Sequence, residues 1–240
     1  MQISVIMPFW NAGQFVDAAL RSVFRQSVAV EEVIVVDQGG DTPESAFPDS
    51  LRGLDGLRFI SSPKVSPAVA RNLALAAATG DVITFLDADD LWPLGKLERQ
   101  VRRLQDHAMV GGYTRWFTET TPEDDLAPAP TQSVELVMSN LGGCVYRKET
   151  LDQLGGFDES YLYAEDVDLL LRACESELKI ITLRSTELYY RKHSASMMHA
   201  ADPRREQDFA RAAHRSLLRR RDSGGGVRGI HGLASYLEPK

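Results

Sequence analysis

The chain has 240 residues, of which 43% are hydrophobic and 25% charged, with a net charge of −7. That length supports one full hydrophobic core with at most a small appendage, and the acidic balance excludes general nucleic-acid binding. Cys144 and Cys174 lack metal-ligand spacing and read as reduced thiols of a cytoplasmic protein; no apolar run is long enough to span a bilayer, and no signal-peptide pattern precedes the first strand.

Residues Ile3–Phe9 read as a buried strand, stopped by Pro8 and the turn formers Asn11 and Gly13. Phe15, Ala18, Ala19, Ser22 and Val23 recur at helical spacing to about Gln26. Residues 33–36 form a short apolar strand that ends in Asp37, with Gln38-Gly39-Gly40 as the loop behind it. Strand, helix and strand at this spacing make a βαβ unit, so the expected class is α/β, with a mostly parallel sheet covered by helices on both faces. Ligands of such sheets sit beyond the carboxyl ends of the strands.

A loop over 42–56, a third strand at 57–60 and a helix over 67–79, with Pro67 at its start and Gly80 after its end, come next. The fourth strand, Val82, Ile83, Phe85 and Leu86, runs straight into Asp87, Asp89 and Asp90. A buried strand that ends in carboxylates is costly unless a cation meets them. Asp87 and Asp89 leave an extended backbone on one face, an arrangement that suits a shared hard cation, Mg²⁺ or Mn²⁺. The bland alternative is a solvated acidic turn.

Residues 93–105 read as a helix with a charged face (Lys96, Glu98, Arg99, Arg102, Arg103) and 110–117 as a strand carrying Tyr113, Trp116 and Phe117. The acidic, proline-rich stretch 119–131 reads as a surface loop. A short strand at 144–146, a helix at Lys148–Leu154, the loop Gly155-Gly156-Phe157-Asp158 and a helix led by Glu165 and Asp166 follow. Carboxylates in a first helical turn suit the helix dipole without any further role. Two strands, 178–183 and 187–192, precede a basic amphipathic helix over 203–221.

Four stretches in this order resemble the family 2 glycosyltransferases of GT-A fold: Ser4-Val5-Ile6-Met7-Pro8 with Asn11; Val35-Val36-Asp37; Ala70-Arg71-Asn72 with Gly80-Asp81 and Phe85-Leu86-Asp87-Ala88-Asp89-Asp90; and Gly155-Gly156-Phe157-Asp158 with Glu165-Asp166-Val167-Asp168 and Arg172. Together they cover roughly residues 3–196. The resemblance implies a single Rossmann-like GT-A domain over 1–200, with a nucleotide-binding half (1–106) and an acceptor-binding half (107–200), and a C-terminal basic helix and tail over 201–240.

It implies an inverting enzyme that moves a sugar from a nucleotide-diphosphate donor to an acceptor hydroxyl on a glycan, a lipid-linked sugar or a small molecule. Asp166 falls at the position of the catalytic base. Asp89 falls at the metal position, with His193 as a second metal or phosphate ligand and Mn²⁺ or Mg²⁺ as cofactor. Pro8, Trp10, Asp37, Gln38, Arg71, Asp87, Ala88, Glu165 and Arg191 fall at substrate positions, Trp10 against the base and Asp87 near the ribose. Where the family carries a second acid after strand two, this chain has Gln38, whose amide both accepts and donates; UDP-sugars are favoured.

A nucleotidyltransferase would need a glycine-rich basic loop where Asn11-Ala12-Gly13-Gln14 stands, and an Asp-x-Asp phosphohydrolase would carry its motif after the first strand. A nucleotide-sugar-binding protein without activity remains a non-enzymatic alternative. The arginines of the last helix (Arg204, Arg205, Arg211, Arg215, Arg219, Arg220 and Arg221) suit peripheral contact with an anionic inner membrane face, or simply a solvated basic face.

Overall fold

The computed structural model of the chain describes residues 1–39, 47–63, 65–118, 135–137, 140–194, 196, 202–222 and 236–239. The loop expected at 119–131, Gly40, Lys64 and the Gly224-Gly225-Gly226 tail lie outside the described residues. The elements in order are β1 (Ile3–Phe9), α1 (Val16–Phe24), β2 (Glu32–Asp37), β3 (Leu57–Ser61), α2 (Pro67–Ala77), β4 (Val82–Phe85), α3 (Lys96–Leu104), β5 (Met109–Phe117), β6 (Glu135–Val137), β7 (Val145–Arg147), α4 (Lys148–Leu154), α5 (Glu165–Glu175), β8 (Ile180–Arg191) and α6 (Pro203–Asp222). Short 3₁₀ turns occupy Asp49–Leu51 and Leu141–Gly143.

One eight-stranded sheet runs in the order β3-β2-β1-β4-β7-β5-β6, with β8 alongside β5. Strands β1 to β4 are mutually parallel, β7 reverses between β4 and β5, and β8 runs parallel to β5, so β6 and β7 alone oppose the common direction among the described residues. The expected α/β class holds. All seven residues of β1 are buried, as a strand covered on both faces requires. Val5, Met7, Val33 and Val35 pack on the face shared with α1 and α3, while Ile6, Ile34 and Val36 pack on the opposite face with α2, α4 and α5. The period-two alternation thus feeds two cores from one sheet.

Gly80 has a different reason from the expected helix stop. A Cβ there would sit 2.6 Å from the Gln2 carbonyl oxygen and 2.7 Å from Ser4 Oγ, so the glycine lets the start of β4 close against β1. The helix after the acidic cluster begins at Lys96 instead of Pro93, because Gly95 holds a left-handed φ of 73° just before it. The two strands expected at 178–183 and 187–192 are one, β8. Its pairing with β5 shifts register between Gly111 and Thr114, and Gly112 leaves room for Glu187. Glu187 is fully buried there and meets Arg99 through two hydrogen bonds of 2.8 and 2.9 Å. The polar run Arg184, Ser185 and Thr186 that looked like a break in the strand is the segment that crosses this irregularity.

Lys96 also departs from its expected place on a charged face. It is fully buried; its Nζ donates to Gln100 Oε1 at 2.6 Å and lies 4.4 Å from the Trp92 ring centroid. Burial pulls its pKa from 10.5 down to about 7. Between those values the unfolded chain binds the proton and the folded chain does not, so this lysine makes stability rise with pH across that window, by at most about 1.4 kcal/mol per pH unit. Urea midpoints from pH 7 to 9.5 are expected to climb more steeply for the wild type than for Lys96→Met; equal slopes would refute the assignment.

The last helix does not stand free in solvent. On α6, Arg219 pairs with Glu175 and Asp168, Arg215 pairs with Asp158, and Arg211 donates to the Ser160 carbonyl oxygen, so the helix is fastened along α5 and the loop before it. Those arginines are engaged within the protein. No helix among the described residues is long and apolar enough to cross a membrane.

Candidate active site

The segments at the carboxyl ends of β1, β2, β4 and β8 supply side chains to a cavity of about 500 Å³. Pro8 and Trp10 come from the end of β1, Gln38 from the end of β2, and Asp87, Ala88 and Asp89 from the end of β4. Arg71 comes from α2, Glu165 and Asp166 from the first turn of α5, and His193 from just past β8. Ten of the twelve residues expected at the site therefore line one space. Asp37 and Arg191 do not line it: Asp37 turns to accept the Gly39 N–H at 3.0 Å.

Arg191 sits behind the wall. It is 6% exposed, donates from Nε to the Asp89 carbonyl oxygen at 2.8 Å, and lies 4.7 and 4.5 Å from the ring centroids of Phe15 and Phe117. Its backbone N–H donates to Asp90 Oδ1 at 2.8 Å. Asp90, 1% exposed, therefore fixes β8 to the acidic turn and is no ligand of the cavity. Burial, with Asp89 and Asp87 nearby, drives its carboxyl far above the usual carboxylate range.

The cation that the buried acidic turn demanded is Arg71. It donates to Asp87 Oδ1 at 2.8 Å and ion-pairs with Glu165, joining α2, the end of β4 and the start of α5 through one side chain. Burial opposes its charge, but the Asp87 and Glu165 carboxylates hold it protonated, above its ordinary value. Burial pushes the Glu165 carboxyl up to about 7 against the pull of Arg71. Asp166, the cavity-lining neighbour of Glu165, accepts the Val167 N–H at 2.7 Å, and burial likewise raises its pKa. A carboxyl raised in this way keeps a stronger affinity for protons than a solvated one and is suited to act as a base.

Asp89 Oδ2 and His193 Nε2 lie 2.9 Å apart, while His193 Nδ1 is buried with no hydrogen-bond partner among the described residues. Among the described residues no group of three or more His, Cys, Asp or Glu side chains is arranged to hold a metal. One carboxylate and one imidazole leave most of a coordination sphere to water and phosphate oxygens, which is how Mg²⁺ and Mn²⁺ are commonly held beside a nucleotide. The donor set fits such an ion.

Just past the end of β2, Gln38 is 5% exposed, and its Nε2 donates to the Val65 carbonyl oxygen at 2.8 Å. That bond uses one of the two amide N–H groups, so the Oε1 acceptor and a second donor remain. The remaining wall carries side chains that sequence reasoning left without a role. Thr114 and Trp116, two apart on β5, share a face, which was the available signal. Thr114 Oγ1 is buried without a hydrogen-bond partner among the described residues, and Lys192 Nζ lies 3.1 Å from the Trp116 ring centroid. Asn140 comes from the cap of the Leu141–Gly143 turn, and Phe209 from α6.

The family model for glycosyl transferase family 2 matches residues 4–141. An uncharacterized glycosyltransferase of Nostoc sp. is 28% identical over 228 residues, 87% of this chain and 70% of that protein. The Escherichia coli protein UDP-Glc:alpha-D-GlcNAc-diphosphoundecaprenol beta-1,3-glucosyltransferase WfgD is 29% identical over 174 residues, 70% of this chain and 68% of that one. The crystal structure of S. aureus TarS 1-349 in complex with UDP-GlcNAc superposes with a TM-score of 0.68 at 20% identity, over 91% of this chain and 66% of TarS 1-349, and has the same fold. The matched segment runs from β1 through the acidic turn to the 3₁₀ turn that carries part of the cavity wall, more than half of the sequence, and on that match the chain belongs to glycosyl transferase family 2.

Proposed function

We propose that this enzyme transfers a sugar from a UDP-sugar to an acceptor hydroxyl with inversion, with Asp166 as the base. The observation that carries the reading is the convergence, in one cavity, of Trp10 and Gln38 from the ends of β1 and β2, Asp87 and Asp89 from beyond β4, and Asp166 from the first turn of α5. A nucleotide needs the first group, its diphosphate the second and an attacking hydroxyl the third. The Nε2–Val65 hydrogen bond orients the Gln38 amide, whose Oε1 is an acceptor suited to the imide N–H of uracil. The names of the E. coli relative and of the TarS complex agree with a UDP-sugar donor, and that of the relative with a lipid-linked acceptor.

Asp166 removes the acceptor proton as the hydroxyl oxygen bonds to the anomeric carbon. The bond from that carbon to the diphosphate breaks with its electron pair on the phosphate oxygen, and attack from the opposite face inverts the centre. Asp89 and His193 are the residues that would hold Mn²⁺ or Mg²⁺, which when bound offsets the charge on the departing diphosphate. Arg71 keeps Asp87 and Glu165 fixed as charges change around them.

A thermal-shift titration with UDP, dTDP, GDP and CDP, each with and without Mn²⁺, tests the donor site. Ligand at ~100 times its dissociation constant adds about 2.7 kcal/mol, roughly 5–11 °C for a chain of this size. A uracil or thymine nucleotide is expected to give the largest shift, dependent on Mn²⁺ and lost in Asp89→Ala. A folded sample that shifts with none of the four sinks the reading.

A further inference from the structure

The cavity does not end with the acidic residues. Its far wall includes Leu162, Val167 and Phe209, all half-buried, beside Asp166. Phe209 and Val167 pack on a small apolar cluster of Tyr161, Ala164, Leu171 and Ala212 that is separate from the two cores of the sheet. Half-buried apolar side chains facing a cavity next to a base mark the side from which an apolar part of a ligand is covered.

The same helix controls the approach to the base. Asp208, 8% exposed, accepts through Oδ2 the backbone N–H groups of both Leu162 and Tyr163, each at 2.9 Å. Its Oδ1 accepts from Arg211, also at 2.9 Å. The next residue, Ala164, holds a left-handed φ of 62°, which a residue with a Cβ keeps only where its surroundings impose it. Glu165 and Asp166 follow at once. A buried carboxylate holding two successive amides is a strong restraint on that turn.

We propose that α6 forms the acceptor-side wall of the active site and selects an acceptor glycoside with an apolar aglycone, Phe209 lying against the aglycone and Asp208 acting as a positioning residue for Asp166. The proposal rests on the glycosyltransferase reading above and names its acceptor class. A free sugar can lay one C–H face on a single side chain such as Phe209, but its hydroxyl edges leave the rest of the apolar wall of Leu162, Val167 and Phe209 wet. A hydrocarbon or aromatic aglycone covers them while its sugar hydroxyl meets Asp166.

The test measures UDP release from UDP-glucose and UDP-GlcNAc with methyl, phenyl and octyl β-glycosides of glucose and N-acetylglucosamine. The octyl and phenyl glycosides are expected to show KM at least tenfold below that of the methyl glycoside. In Phe209→Ala that ratio is expected to collapse to within threefold, a readout that a general loss of stability does not produce. Asp208→Ala is expected to lower kcat at least tenfold and to shift the acid limb of its pH profile, with the UDP thermal shift retained; Asp208→Asn, which keeps an accepting oxygen, restores most of kcat. Equal KM for octyl and methyl glycosides, or a ratio that survives Phe209→Ala, overturns the acceptor wall. So does UDP binding with no acceleration by any glycoside, which leaves the donor site standing. A wild type that binds no nucleotide overturns the glycosyltransferase reading and this proposal together.

Discussion

Asp166→Asn is expected to reduce sugar transfer by about 10³-fold while UDP binding stays within a few-fold of wild type. The substitution changes charge and basicity with almost no change of shape, and Oδ1 can still accept the Val167 N–H that orients the side chain. A loss of that size with intact nucleotide binding separates a base from a residue that only lines the cavity. The pH profile gives an independent check. Burial raises the Asp166 pKa, and the base acts only when deprotonated, so the wild-type rate should begin to fall with acid above the usual carboxylate range. The residual activity of Asp166→Asn should lack that limb. Activity within tenfold of wild type would move the role to another residue, and Glu165, with its carboxyl pushed up to about 7, would be the first to examine.

Much of this arrangement was legible in the sequence, and the parts that were not have identifiable reasons. Strands β1, β2 and β4 are short, largely apolar runs and the last two lead into carboxylates, so their class and the shared edge of Asp37 and Asp87 followed from pattern alone. The irregular half was harder. The break in β8 was misread because Arg184, Ser185 and Thr186 form a polar run where the strand crosses a register shift, and the buried Glu187 beside them is satisfied by Arg99 from 88 positions earlier, a pairing no local pattern reveals. Lys96 was placed on a solvated face for a similar reason: Trp92 and Gln100, which accommodate its ammonium, look unremarkable in sequence. Arg191 was expected at the substrate, and its place between Phe15 and Phe117 depends on contacts that join all three thirds of the chain. The contribution of α6 was hidden by its arginines, which drew attention to charge while Asp208 and Phe209 on the same helix reach the loop before α5 and the cavity.

Arg71→Ala is expected to cost more stability than any single carboxylate substitution at the site, about 3–5 kcal/mol at pH 7.5. The guanidinium is buried at 6% exposure and serves Asp87 and Glu165 at once, so its removal leaves two carboxylates in a poorly solvated space without their counter-charge. At about 2–4 °C per kcal/mol for a chain of this size, the melting temperature falls by roughly 6–20 °C. Arg71→Lys should recover only part of this, since one ammonium cannot reproduce a planar group that reaches two partners. The sign of the pH dependence makes the prediction specific. In the wild type the folded-state pKa of Glu165 is raised from 4.5 to about 7, so the folded chain binds the extra proton between those values and this group lowers stability as pH rises through them. Arg71 is the influence that restrains the shift, and without it the carboxyl stays protonated to higher pH still. The gap between variant and wild type should therefore narrow on going from pH 7.5 to pH 5.5, where protonation removes the uncompensated charge. Urea unfolding at the two pH values decides the matter: a gap below 1 kcal/mol at pH 7.5, or one that widens with acid, would show that the carboxylates of this cavity do not depend on Arg71 for their charge balance.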